Sequence, residues 1–380
     1  LEKRLTWCFW TKIRSRICET WARCIPSSYE AKSWILSKID ETIKGRTVPY
    51  SIDKTKIMKT RKFGRLGWNV SEIGHGMWGM GSWSDSNDAQ SLEALQLSLD
   101  LGCNFFDTAW AYGEGRSEAL LGDLVRANPK KEIYTATKIP PKNKRWPSKR
   151  GFSMDECFPV EHIKQFVGLS LKNSGLEYFD LIQFHVWEDA WAEDERWIRA
   201  IEDLKSEGVI RGVGISINRW EPWNGLKTVS SGYVDSVQVI YNIFDQDPED
   251  ELFPACREND VAVIARVPFD EGTLTGNLTV ESTWPKGDWR NLYFVPENLV
   301  PSVERAEKLK RIVPEGMTLP EMALRFILNN SDITTIIPGM RAYQHVTGNI
   351  SCSDAGPLSE DLHQELRNHR WDRTPTRWSY

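Results

Sequence analysis

The sequence predicts an α/β protein built on a single (β/α)8 TIM barrel, with an N-terminal hairpin, a long loop after the seventh strand and C-terminal helices. Three observations lead there. Eight short apolar runs recur after residue 58, amphipathic stretches of helical period lie between them, and the runs read as strands buried on both faces. A chain of 380 residues with 40% hydrophobic content can bury one such core. A doubly wound open sheet is the rival arrangement.

"MKTRKFGRLGWNVSEIG", from Met58, reads as a β-hairpin running into the first core strand at 72–77. In the helix that follows, "NDAQSLEALQLSLDLG", Leu92, Leu95 and Leu99 recur at helical spacing behind a cap at Asn87 or Ser86. The other strands are "NFFDTA" at 104–109, "EIYTATK" at 132–138, "FDLIQFH" at 179–185, "IRGVGIS" at 210–216, "SVQVIYN" at 236–242, "VAVIARV" at 261–267 and "TTIIPG" at 334–339. Further helices fall near 115–127, 160–174, 191–207, 249–259 and 318–329. The stretch 268–301 interrupts this rhythm, and a loop of that length in a compact domain is usually functional or mobile. Its Trp284, Trp289, Tyr293 and Phe294 suit either an aromatic lid or a loop pinned to the barrel. The C-terminal "RNHRWDRTPTRWSY" either folds over the barrel mouth or is solvated.

A net charge of −5 gives no basic excess for nucleic acid, and no apolar run approaches the ~18 residues of a membrane helix. The expected partner is therefore a small molecule. Seven cysteines without a CxxC pair point to a reducing, cytoplasmic setting and away from a disulfide framework or a zinc site; no metal is expected. Charge is uneven. Residues 1–57 carry twelve Lys/Arg against six Asp/Glu, whereas the rest carry 36 against 47. Residues 1–57 show no sustained helix or strand period, so we read them as a non-native or non-core extension and 58–380 as the barrel domain. A basic presequence is the competing reading, against which the six acids and the lack of an amphipathic face weigh.

Four titratable residues fall at the ends of neighbouring strands, the rim where barrel active sites form: Asp107, Tyr112, Lys138 and His185. Reduction of a carbonyl leaves an alkoxide to be protonated, and a phenol near pKa ~10 is a reluctant donor at neutral pH. An ammonium beside it favours the phenolate, and a carboxylate keeps that ammonium charged and in place. Lys138 and Asp107 suit those roles around Tyr112, while a neutral His185 could orient the carbonyl oxygen through one N–H.

"FFDTAWAYGEGRSEALLG", "TATK", "QFH" and "IIPGMRAYQHVTGN" together resemble the aldo-keto reductase family, in order, from about residue 60 to 350. The resemblance implies a (β/α)8 barrel that binds NADPH, with NADH as the second choice, without a Rossmann fold. It implies Asp107, Tyr112, Lys138 and His185 as the catalytic tetrad, with Tyr112 the acid. It further implies Ser216 and Gln238 at the nicotinamide carboxamide, and Phe269, Gly272, Leu274 and Gly276 in a loop wrapping the pyrophosphate. Gly339 lies in the "IIPGMR" motif, Arg341 matches the residue beside the adenosine 2′-phosphate, and Asn349 matches the adenine contact. A guanidinium suits that phosphate bidentately, which favours NADPH. Two departures stand out. Ser216-Ile217-Asn218 moves an amide by one position, and Arg266 replaces the aromatic residue that often stacks on nicotinamide. A cation there should disfavour NADP+ relative to NADPH.

Gly74-x-Gly76-x-x-Gly79 looks like a dinucleotide fingerprint, but the following helix cannot start before Ser86 or Asn87, and Asp107 lies too far on to be the ribose acid. We read this stretch as the first barrel loop, with Gly76 and Met77 admitting the cofactor and Trp78 bordering the substrate beside Trp110, Trp146 and Trp187. The expected activity is NADPH-dependent reduction of aldehydes or ketones. The alternatives are a nicotinamide-binding sensor or regulatory subunit with slow turnover, and a Schiff-base lyase through Lys138.

Overall fold

Strand residues two apart share a face, and here the inward faces of several strands run from apolar to polar along their length. In the computed structural model, which describes residues 58–81 and 86–376, those faces line the inside of a barrel. The proposed extension at 1–57 lies outside the described residues.

The chain first forms an antiparallel hairpin, β1 (Thr60–Phe63) and β2 (Trp68–Ser71), with Thr60 opposite Ser71. Eight parallel strands follow, each paired with the next in chain order: β3 (His75–Gly76), β4 (Phe105–Asp107), β5 (Tyr134–Ile139), β6 (Phe179–Phe184), β7 (Ile210–Ser216), β8 (Ser236–Ile240), β9 (Ala262–Arg266) and β10 (Thr335–Ile336). β3 and β10 are shorter than the sequence suggests. Their seam is made by isolated bridges, Ile73 to Ile336 and Gly76 to Gly339, which close the sheet on itself. Gly76 is required there, because a Cβ would lie 2.4 Å from the Ile337 carbonyl oxygen. The glycine serves barrel closure.

The outer helices are α1 (Asp88–Asp100), α2 (Arg116–Ala127), α3 (Val160–Ser174), α4 (Glu195–Ser206), α5 (Leu226–Ser230), α6 (Leu252–Glu258), α7 (Pro296–Lys310), α8 (Leu319–Leu328), α9 (Tyr343–Ile350) and α10 (Glu360–Arg367). Asn87 caps α1 by accepting the Gln90 N–H at 3.2 Å. Two of these helices were not anticipated. α5 spans only five residues, too few to show a period. α7 starts inside the stretch read as loop, with Pro296 at its first turn, where a missing N–H costs no helical bond.

One apolar layer lies between strands and helices, and a second fills the N-terminal end of the barrel with Phe105, Ala136, Leu181, Ala262 and Ile264. The hairpin plugs that end: Phe63 stacks on Phe105 at 5.6 Å, and Trp68 on Tyr134 at 5.3 Å. Arg61 fastens the plug, pairing with Glu72 and donating to the carbonyls of Leu328, Asn330 and Ile333. At the opposite end the long insertion forms its own apolar cluster, in which Tyr293 and Phe294 are buried and Trp284 stacks on Phe294 at 5.2 Å. Its aromatics thus pin the loop, while Trp289 also meets Trp78 edge-on at 5.6 Å. The C-terminal tail packs down: the Trp371 N–H donates to the Phe244 carbonyl and Arg373 is buried. Among the described residues no helix is long and apolar enough to cross a membrane.

Candidate active site

Two residues beyond the apolar layer, the same inward faces turn polar. Asp107 follows Phe105 on β4, Lys138 follows Ala136 on β5, and Gln183 follows Leu181 on β6, with His185 one step further. Tyr112 is brought to them by the tight turns after β4, where its N–H donates to the Ala109 carbonyl. The four residues expected to act together do converge. Lys138 Nζ donates to Asp107 Oδ2 at 2.5 Å, to the Thr108 carbonyl at 2.8 Å and to the Tyr112 hydroxyl at 3.4 Å. The Tyr112 and His185 rings stand 5.8 Å apart, edge to face.

Gln183, in the "QFH" motif, joins the network, a role that the motif alone does not reveal. Its Nε2 donates to Asp107 Oδ1 at 2.9 Å, and Gln238 Nε2 donates to the same oxygen at 2.9 Å and to Gln183 Oε1 at 3.1 Å. Both Asp107 oxygens are thereby satisfied in the barrel interior, one by Lys138 and one by amides. The signal that would have found Gln183 is the strand period, which puts it on the face of Leu181 and His185.

Electrostatics follow from burial and from this pairing. Burial opposes the Lys138 ammonium, but Asp107 and Tyr112 outweigh it and hold its pKa above the usual lysine value. Burial pushes the Tyr112 phenol up while Lys138 pulls it down; the net is upward, so the hydroxyl keeps its proton at neutral pH. Burial, then Lys138 and Arg266, drive His185 well below its ordinary 6.5, leaving a neutral imidazole. Arg266 Nη2 donates to the Ile217 carbonyl at 3.0 Å. Burial and the nearby Arg219 push the Arg266 guanidinium down to about 10, so it stays charged at neutral pH.

A model of the Aldo/keto reductase family matches residues 72–370. The chain belongs to the aldo-keto reductase family. An uncharacterized oxidoreductase, YqkF, of Bacillus subtilis is 30% identical over 82% of this chain and 96% of its own length. An NADH-specific methylglyoxal reductase of Escherichia coli is 27% identical over 77% of this chain and 93% of its own. The holo form of aldo-keto reductase AKR11C1 from Bacillus halodurans superposes with a TM-score of 0.66 at 26% identity, covering 85% of this chain and all of that one. Aldo-keto reductases use nicotinamide cofactors to reduce small carbonyl compounds, and this one is an NAD(P)H-dependent oxidoreductase.

Not every residue singled out from the sequence lies where the reading put it. Trp187 is a correction. Its indole is fully buried, packed at 5.3 to 5.5 Å against Phe184, Trp191 and Trp197, and its N–H donates to Thr228. It belongs to the layer between strands and helices and borders no substrate. Trp110 is half-buried with its edge on Phe166 of α3, and Trp78 is exposed. Trp146, also exposed, meets His185 edge-on at 5.9 Å. The Met77 side chain is in the core, so what it can offer a ligand is backbone. The displaced amide of Asn218 is engaged with the Trp187 carbonyl, Glu188 and Glu221. Gly79 sits in a short turn, Trp78–Met80, and α1 begins only at Asp88, so the glycine pattern opens no helix.

For the nicotinamide nucleotide of this aldo-keto reductase, the site residues offer a fit. His185 Nδ1 and Arg266 Nε at strand ends, and Thr273 Oγ1 in the loop after β9, are buried and lack a hydrogen-bond partner among the described residues. Gly272 adopts φ 109°, and a Cβ there would meet nothing within 4 Å, which leaves space over the loop turn. Leu274 is buried beneath that loop and Phe269 packs on the core. Arg341 and Gly339 are exposed ahead of α9, and Asn349 lies buried on that helix.

Proposed function

We propose that this chain is an NADPH-dependent reductase of aldehydes and ketones in which Tyr112 is the general acid. The observation that carries the reading is the Lys138 ammonium, buried between the Asp107 carboxylate and the Tyr112 hydroxyl. When bound, a nicotinamide would supply the hydride for the carbonyl carbon. Tyr112 delivers its proton to the carbonyl oxygen, so one C–H and one O–H bond form and the product is an alcohol. Lys138 stabilises the phenolate left behind, Asp107 keeps Lys138 charged and fixed, and neutral His185 offers an N–H to the reacting oxygen. Gln183 and Gln238 hold Asp107 as positioning residues. Trp78, Trp110 and Trp146 give the mouth apolar faces suited to aromatic or sugar-derived carbonyls.

Cofactor contacts are assigned to Gly76 and Met77 through their backbone, to Ser216, Gln238 and Arg266 around the nicotinamide, and to Phe269, Gly272, Leu274 and Gly276 at the pyrophosphate. Gly339, Arg341 and Asn349 are assigned to the adenosine end. The exposed Arg341 suits a 2′-phosphate and so favours NADPH. Fluorescence titration with NADPH and NADH tests this: Arg341→Ala should weaken NADPH about tenfold and leave NADH nearly unchanged. An equal loss for both would remove the basis for the preference. We place the enzyme in the cytoplasm, a reducing compartment that suits the four free cysteines, all buried, of the described residues.

A further inference from the structure

The C-terminal tail contributes a buried cation that the chemistry above does not use. Arg373 is 8% exposed. Its Nη2 donates to Asp245 Oδ2 at 2.5 Å and to Asp270 Oδ1 at 2.7 Å, and its Nε reaches Asp245 Oδ1 at 3.2 Å. The guanidinium carbon lies 4.6 Å from the ring centres of both Trp220 and Trp371. Arg373 therefore ties together three strand-end loops, since Trp220 follows β7, Asp245 follows β8 and Asp270 follows β9. None of its hydrogen bonds reaches Asp107, Tyr112, Lys138 or His185.

Asp245 and Asp270 are both buried, at 3% and 1% exposure. Two carboxylates on one buried cation repel each other without it. Asp270 also stands in a loop held against its preferences: Val267, Asp270 and Glu271 all adopt positive φ, at 56°, 45° and 56°. Non-glycine residues persist there only where their surroundings over-determine them. Two ion pairs do so here, Arg373 with Asp270 and Arg219 with Glu271 at 2.5 Å. The tail's own register is fixed upstream, by Arg370 on Asp250 and by the Trp371 N–H on the Phe244 carbonyl.

We propose that Arg373 is a positioning residue for the cofactor: by pairing with Asp245 and Asp270 together, it pins the 267–276 loop to the barrel rim and sets how tightly and how long the dinucleotide is held. This rests on the reading above, in which that loop wraps the pyrophosphate. Arg373 acts through the loop, so its effect falls on Kd, on KM for NADPH and on the release rate rather than on hydride transfer. Linkage requires the reverse as well: cofactor that stabilises the loop must stabilise the tail.

The test uses the full chain. In Arg373→Leu we expect Kd for NADPH to rise and its release in stopped-flow fluorescence to quicken, each about tenfold. Amide exchange across 267–276 should accelerate without cofactor, and single-turnover hydride transfer at saturating NADPH should stay within about twofold. Arg373→Lys, which keeps a charge but loses the fork, should fall between. Should the leucine variant not fold, the wild-type protein still decides, because NADPH should then slow exchange of the tail amides at 371–376. Unchanged Kd, release and loop exchange in a folded Arg373→Leu would overturn the inference while leaving the reductase reading intact. Tail exchange indifferent to NADPH would overturn it equally. Failure of the wild type to bind either nucleotide would remove the cofactor reading and this inference with it.

Discussion

The two ends of the barrel are built from the same strands and, along four of them, differ by two residues. At the N-terminal end Phe105, Ala136, Leu181 and Ile264 face inward, sealed beneath Phe63 and Trp68 of the hairpin. At the C-terminal end the next inward positions are Asp107, Lys138, Gln183 and Arg266, and the chain closes over them with loops and a tail. One rise of ~7 Å along each of these four strands separates a dry plug from an ionised network. Burial alone therefore does not distinguish them, since Lys138 is as buried as Phe105. What distinguishes the two ends is whether buried groups need each other as charge partners or only as packing partners, and each kind of dependence fails differently when cut.

The largest effect should come from cutting the charge network at its centre. Lys138→Met leaves Asp107 buried beside two amides without its cation, and breaking such a pair costs about 3–5 kcal/mol. Chemical denaturation should register that loss, and NADPH-dependent turnover of an aromatic aldehyde should fall by about 10²-fold or more. A variant as stable and active as the wild type would mean that the two ends do not differ in kind.

Next comes pH. His75, on the outward face of β3 against Ser98, is driven by burial down to about 3, and His185 is lowered for the same reason. Both stay neutral in the folded protein while the unfolded chain takes up protons below about 6.5. The contribution of His75 to stability is thus full above that pH and is lost as pH falls from 6.5 towards 3, by about 1.4 kcal/mol per pH unit, and that of His185 is lost in the same direction. Unfolding free energies of wild type and His75→Gln at pH 7, 6 and 5 should converge as pH drops. A constant gap would place the His75 titration elsewhere.

Two smaller effects sharpen the contrast within the rim. Gln183→Leu removes one of the two amides on Asp107 and should lower kcat/KM by about three- to tenfold, the worth of one charge-assisted hydrogen bond partly replaced by its neighbour. No change would assign the holding of Asp107 to Gln238 alone. Arg266→Tyr should improve NADP+ binding relative to NADPH a few-fold, by removing a cation from beside the oxidised ring. Equal affinity ratios in the two proteins would contradict the charge argument.

Much of this was legible in the chain because strand period and strand order are local properties. The tetrad could be placed from the ends of "NFFDTA", "EIYTATK" and "FDLIQFH", and the structure brings Asp107, Tyr112, Lys138 and His185 together. What was not legible depends on which of two packed surfaces a side chain enters. Trp187 lies just past a strand end like His185, yet it turns outward beneath the helices, a choice made by its Thr228 acceptor and its Trp191 and Trp197 neighbours. Gly76 is also where the first and last strands meet, a contact that no local pattern shows. Arg373 was one basic residue in a tail with two readings, and its acidic partners lie more than a hundred positions away. No local pattern announces that contact.

The measurement that bears most directly on the division of labour is a paired one, of turnover and of unfolding free energy, on Tyr112→Phe and Phe105→Ala. We expect Tyr112→Phe to bind NADPH and unfold like the wild type while losing carbonyl reduction by about 10²–10⁴-fold. We expect Phe105→Ala to lose about 3–5 kcal/mol of stability and to keep the kcat of its folded fraction. A Tyr112→Phe enzyme that still reduces aldehydes at the wild-type rate would contradict the proposed role of the rim and leave the proton donor to be sought elsewhere.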